Sequence, residues 1–151
     1  MFAGAALALL GCKNNLDATK IEGAITDGMK AKEVTPTSVK CPADRALKAG
    51  DKFECDAVLP GGTAAKVHVE QKDDQGNITW KLDGAIVNQE KAGHALEAKL
   101  APGTKIMCPS KVVVLKKGDK FDCDFTQGAT KAKVDITATD DEGSVESKLQ
   151  K

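Results

Sequence analysis

Apolar residues recur at every fourth position from Ile21 through Ile25 to Met29, with Ala24 alongside, on a segment that is otherwise polar. A single stripe at that period predicts an amphipathic helix lying on a core. Thr19 and Glu22 fit a Thr-x-x-Glu capping box at its start, Lys30 and Lys32 suit its C-terminal end, and Pro36 stops it. Gly23 and Gly28 weaken it. From Thr37 the period becomes two. Val39 and Cys41 share a face on a first strand, and Phe53, Cys55 and Ala57 share one on a second. Ala65, Val67 and Val69 alternate with Lys66, His68 and Glu70 on a third; Ile78, Trp80 and Leu82 alternate with Thr79 and Lys81 on a fourth. Gly61-Gly62 and Asp74-Gln75-Gly76-Asn77 supply the turns.

The whole pattern then returns. Val87, Asn88 and Ala92 look like a staple and cap, and Ala92, Leu96 and Leu100 form a helical stripe that Pro102-Gly103 ends. Strands follow at Ile106 to Cys108, Phe121 to Phe125, Ala132 to Ile136 and Val145 to Leu149. The copies are tied together by Cys41-Pro42 and Gly50-Asp51-Lys52-Phe53-Glu54-Cys55-Asp56, which come back as Cys108-Pro109 and Gly118-Asp119-Lys120-Phe121-Asp122-Cys123-Asp124. One residue gained before the second cysteine and one lost after it restore the offset, as loops rather than strands vary. The expected fold is therefore α+β, a tandem repeat in which each unit packs one N-terminal helix on a four-stranded antiparallel sheet. Repeat 1 runs over 19–84 and repeat 2 over 85–151. Asp83 to Val87 is too short for a flexible linker, so the two units are expected to rest against each other.

Units of this size bury little, roughly 60% of their unfolded surface, and this chain is poor in aromatics, which makes a covalent staple in each half physically sensible. Four of the five cysteines fall in the repeated motif. Duplication favours the pairing Cys41–Cys55 and Cys108–Cys123 among the three that four cysteines allow. Each closed loop should contribute about 3 kcal/mol on the chain-entropy estimate. The fifth, Cys12, ends Leu9-Leu10-Gly11-Cys12 after an apolar run from Phe2 to Leu10. That run is too short to span a bilayer but suits a signal h-region. It resembles the lipobox of bacterial lipoproteins, which implies a signal peptide over 1–11, an acylated Cys12 and a tether over 12–18. No Lys or Arg precedes the run, so the start used here is either downstream of the true one or trimmed.

Lys plus Arg and Asp plus Glu balance at 22 each, leaving no overall field to attract nucleic acid. Cysteines so widely spaced do not match zinc or thioredoxin-like pairs. His68 and His94 have Asp135 and Asp27 at the equivalent places, so both read as solvated surface residues rather than catalytic or metal-binding ones. Asp73-Asp74 and Asp140-Asp141, each followed by glycine two residues on, could attract calcium, but they lack the alternating spacing of a calcium loop and read as hairpin turns. No Gly-x-Ser-x-Gly elbow or phosphate-cradling loop is present. Trp80, with Ser147 as counterpart, reads as core filling, and Lys116, Lys117 and Lys120 as a solvated face beside Asp119 and Asp122. No catalytic residue, metal site or cofactor is expected.

Val39-Lys40-Cys41-Pro42 with Gly50-Asp51-Lys52-Phe53-Glu54-Cys55, Val67-His68-Val69 and Asp74-Gln75-Gly76 resembles the secreted bacterial domain of unknown function 4333. The second copy is similar through Ile106-Met107-Cys108-Pro109, Gly118 to Cys123, Val134-Asp135-Ile136 and Asp141-Glu142-Gly143. The resemblance implies a cell-envelope protein and brings no activity with it. In architecture alone the chain is also similar to the secreted β-lactamase inhibitor proteins. The expectation is a non-catalytic, lipid-anchored, extracytoplasmic lipoprotein of the bacterial envelope that contacts the membrane through Cys12 and binds a protein or envelope polymer. A secreted enzyme inhibitor is the alternative, and a hydrolase the remote one.

Overall fold

Residues 15–150 are described by the structure, a computed structural model. In the first unit, helix α1 (Ala18–Lys30) is followed by strands β1 (Ser38–Lys40), β2 (Lys52–Val58), β3 (Ala64–Gln71) and β4 (Ile78–Leu82), hydrogen-bonded in that order as an antiparallel sheet. The stripe Ile21, Ile25 and Met29 is buried against Phe53, Cys55, Val67 and Val69, the inward row of β2 and β3. In the second unit, α2 (Gln89–Glu97) is followed by β6 (Thr104–Met107), β8 (Lys120–Gln127), β9 (Thr130–Ala138) and β10 (Val145–Leu149), which repeat the topology. Two units of one helix and a four-stranded antiparallel sheet make the fold α+β.

Between them lies an element that the alternation did not announce. β5 (Ala85–Asn88), directly after the first unit, pairs antiparallel with β7 (Val112–Leu115), which lies inside the second cysteine loop. The register sets Ile86 opposite Val114 and Val87 opposite Val113. Because successive side chains point to opposite faces, Ile86, Val112 and Val114 pack on the first core while Val87, Val113 and Leu115 pack on the second. The ribbon is apolar on both sides, and both sides are used. Thr63 Oγ1 donates to the Val112 carbonyl at 2.8 Å, and Lys116 Nζ reaches Asp83 Oδ2 at 2.6 Å, so polar contacts frame the same joint. Gly84 enters β5 at φ +119°, and a Cβ there would sit 2.8 Å from the Leu115 carbonyl oxygen, so only glycine fits.

Three local expectations are corrected. α1 is capped by Asp17, whose carboxylate accepts from the Thr19 and Lys20 amides, not by Thr19. Glu22 is drawn away from the cap to accept from the Cys41 amide at 3.0 Å, tying helix to first strand. Asn88 does cap α2, but the helix ends at Glu97, so Leu100 falls beyond it and is 44% exposed. α2 is short and buries only Gln89 and Gly93, with Ala92 and Leu96 half-covered. The second core therefore leans on Val87 and Leu115 from the ribbon for apolar cover that α1 supplies in the first.

Two predictions follow from this packing. Leu115→Ala should cost about 2–4 kcal/mol, and Ile86→Ala, on the half-buried side, about 1–2 kcal/mol. In urea both proteins should unfold in one transition by circular dichroism; two resolved transitions would mean that the ribbon does not couple the units. Gly28 lies under Trp80, and a Cβ there would approach Trp80 Cζ2 to 2.3 Å. Gly28→Ala should therefore lower stability by about 1–2 kcal/mol through overpacking despite a gain of roughly 1 kcal/mol in helix propensity, with a shift in tryptophan emission. A stabilised variant with unchanged emission would refute that packing.

Candidate functional site

The repeated motif is where the two copies agree most closely, and its geometry shows what the repetition maintains. Each unit closes its cysteine pair across adjacent strands: Lys40 faces Asp56 and Met107 faces Asp124, which puts Cys41 beside Cys55 and Cys108 beside Cys123, and both disulfides are formed. Cys55 and Cys123 are buried at the centre of their cores. Cys12 lies outside the described residues.

The Gly-Asp turn and the paired acids then lock together. Asp74 accepts from the Ala49 amide, and Asp141 from the Lys117 amide, each at 2.7 Å. Asp73 caps the amides of Gln75 and Asn77, and Asp140 those of Glu142 and Ser144. The main chain adds Gly50 to Gln71 and Gly118 to Ala138. The acids that had a possible calcium reading are thus engaged as internal acceptors, and among the described residues no group of three or more acidic, His or Cys ligands converges. Hydrogen bonds from the Asn77 side chain and the Gln75 amide hold Asp73 below the usual carboxylate range, and those from Ser144 do the same for Asp140.

The first unit carries one further network. Gln71, fully buried, donates to the Ala46 carbonyl and to Asp51 and accepts from the Lys48 amide, while Arg45 grips Asp51 with two nitrogens and lies 5.4 Å from the Phe53 ring centre. Arg45 thereby lowers the Asp51 pKa. At the same segment, Asn15 bridges Ala46 and the Leu16 amide donates to Arg45. This is a one-bridge counterpart of the β5–β7 ribbon.

The outer face of the first sheet is one place where exposed side chains can meet something else. Register sets Lys52, Glu70 and Thr79 in one row and Glu54, His68 and Lys81 in the next. These rows line a shallow depression of about 700 Å³. Lys66 pairs with Asp56 at 2.6 Å and Lys52 lies 4.0 Å from Glu70, so opposite signs face each other across the strands, and His68 Nδ1 lies 3.3 Å from Glu54. A second depression, about 790 Å³, opens at the joint between Lys32, Lys81, Asp83, Asp141 and Glu142. Trp80 is half-buried, packs on the first core and borders both.

His94 lies on α2 in the other unit, exposed, with Nδ1 3.9 Å from Glu97. The structure does not bring it together with His68 in one group. Lys116 is held by Asp83, which raises its pKa, so the lysine cluster is partly spent on the joint. The pairings missed by sequence reasoning are long-range ones, and the only local signal for the ribbon is the unbroken run Val112 to Leu115.

The family described as a domain of unknown function, DUF4333, matches residues 2–76 and 81–143, one segment per unit. No curated protein and no solved structure matches the chain. Two disulfides, one in each small unit, suit an oxidising extracytoplasmic compartment.

The lowered carboxylates give a signed pH dependence. Asp51, Asp73, Asp83 and Asp140 all titrate below their ordinary 3.8 when folded, so their contribution is complete above that value and is lost as pH falls through the lower folded values. Thermal unfolding should be insensitive to these groups between pH 7 and 5 and drop steeply below about pH 4. Asp51→Asn should melt lower than wild type at pH 7, and the gap should close as pH falls through the lowered Asp51 pKa. A gap that does not narrow as pH falls below 3.8 would contradict the assignment.

Proposed function

We propose, for a chain that belongs to the DUF4333 family and carries its domain twice, that it is a non-catalytic cell-envelope lipoprotein working by contact. Lipid on Cys12 holds it at the membrane, and the outer face of the first sheet binds a protein or an envelope polymer. The observation that carries this reading is the depression over Lys52, Glu54, His68, Glu70, Thr79 and Lys81, a concave surface of alternating charge on a rigid stapled sheet. Such a face suits a mixed-sign polar partner.

The tether supports the same reading. Leu16 is already buried in the first core and Asn15 already bridged, so only Lys13 and Asn14 separate Cys12 from the folded unit. At about 3.3–3.6 Å per extended residue, the unit starts within roughly 11 Å of the lipid-bearing residue. A chain held so close presents its surface to envelope partners at high local concentration.

Cys12→Ser should move the protein from the membrane to the soluble fraction, and retention on the membrane would end the lipoprotein reading. Cross-linking of the anchored protein in intact cells should capture one partner, with capture reduced at least fivefold by Lys52→Glu with Lys81→Glu. Capture unchanged by that pair would remove the first sheet's face from the proposal. Substrate turnover by the purified protein, abolished by His68→Ala or His94→Ala, would overturn the non-catalytic reading; a captured enzyme whose activity falls on adding the soluble chain would make it an inhibitor.

A further inference from the structure

Of the sheet edges, β10 stands apart. β1 is three residues long, β6 runs directly into Cys108-Pro109, and β4 borders the depression at the joint. β10 spans five residues without proline, is exposed at four of them, and among the described residues pairs with β9 alone. The Gln150 amide donates to the Lys133 carbonyl and the Ser144 carbonyl accepts from Thr139, so the even-numbered residues turn their main chain toward β9. In an antiparallel pair these orientations alternate, which leaves the amides and carbonyls of Val145, Ser147 and Leu149 directed at the open edge.

The side chains on that edge are self-complementary. Glu146 and Lys148 lie on the outer face, two positions apart, and neither has an ion-pair partner among the described residues, whereas Asp56–Lys66 and Asp124–Lys133 are matched within the chain. Val145 and Leu149 lie on the inner face, and Leu149 is 49% exposed. We propose that β10 pairs antiparallel with β10 of a second copy of this chain about a two-fold axis through Ser147. That axis puts Ser147 opposite its own image, Glu146 opposite Lys148 in both directions, and Val145 opposite Leu149. The residues that form the hydrogen-bonded pairs are then the same three whose main chain faces outward. The register satisfies the free backbone groups, the unmatched charges and the exposed leucine together, and it is isologous, so assembly stops at two copies. The two four-stranded sheets become one continuous sheet, and an edge open to pairing with other chains is closed.

The experiment uses the full chain carrying Cys12→Ser, sedimented at low ionic strength over a range of concentrations. A monomer–dimer equilibrium is expected. Glu146→Lys or Lys148→Glu alone, both on an exposed face, should each weaken it at least tenfold by setting like charges opposite each other. An equimolar mixture of the two variants should restore it, because the heterodimer regains both opposite-sign pairs. Ser147→Cys should cross-link under mild oxidation, since a hydrogen-bonded pair holds its Cα atoms about 5.5 Å apart, within disulfide range. Adding Lys148→Glu should suppress that cross-link. A protein monomeric at every concentration, a dimer indifferent to single reversals, or a mixture that fails to recover would each overturn the proposal.

Discussion

A strand pair that is apolar on both faces has no stable place except between two cores, and the β5–β7 ribbon occupies such a place. Its inner row completes the first core with Ile86, Val112 and Val114, and its outer row completes the second with Val87, Val113 and Leu115. The second unit has the greater need: α2 buries a glutamine and a glycine where α1 buries two isoleucines and a methionine. Small units that bury modest area are marginal alone, and sharing one buried element lets each draw on surface that neither could cover by itself.

The disulfides and the aspartates answer a different requirement. The segment between the cysteines is where the copies differ in length and composition, so what stays constant are its two ends. The disulfide fixes one end to the neighbouring strand, and Asp74 or Asp141 fixes the other to the hairpin beyond. Between those clamps the chain is free to diverge. In the first copy it became the Arg45, Asp51 and Gln71 network, and in the second it became β7.

How much of this was legible follows from the range of each interaction. Helices, strands and their inward faces were readable because Ile21, Ile25 and Met29 repeat at four and Ala65, Val67 and Val69 at two, and the cysteine pairing was readable because it is duplicated. The ribbon was not, since Val112 to Leu115 has no alternation to measure and sat in a segment whose first-copy counterpart, Arg45 to Lys48, carries a charge at each end. Ala85 to Asn88 looked like a junction for the same reason. Glu22 fitted a capping box and was diverted by the Cys41 amide, nineteen residues on. Asp17, an equally good cap by residue type, was the one adjacent to buried Leu16. The charges on the outer face were visible as alternating polar positions, but which ones meet depends on register across three strands.

The ribbon also changes where this chain is open to proteases. Tandem domains are usually cut at their junction, where exposed backbone can enter a protease cleft in extended form. Here the junction is β5, already hydrogen-bonded to β7 and walled in by Gly84 against Leu115. The accessible backbone lies instead at hairpin tips such as Gly61-Gly62, inside a single unit. A nick there leaves one disulfide in each fragment and the ribbon whole in the second, so what holds the fragments together is the β2–β3 pairing and the core beneath it rather than any covalent link.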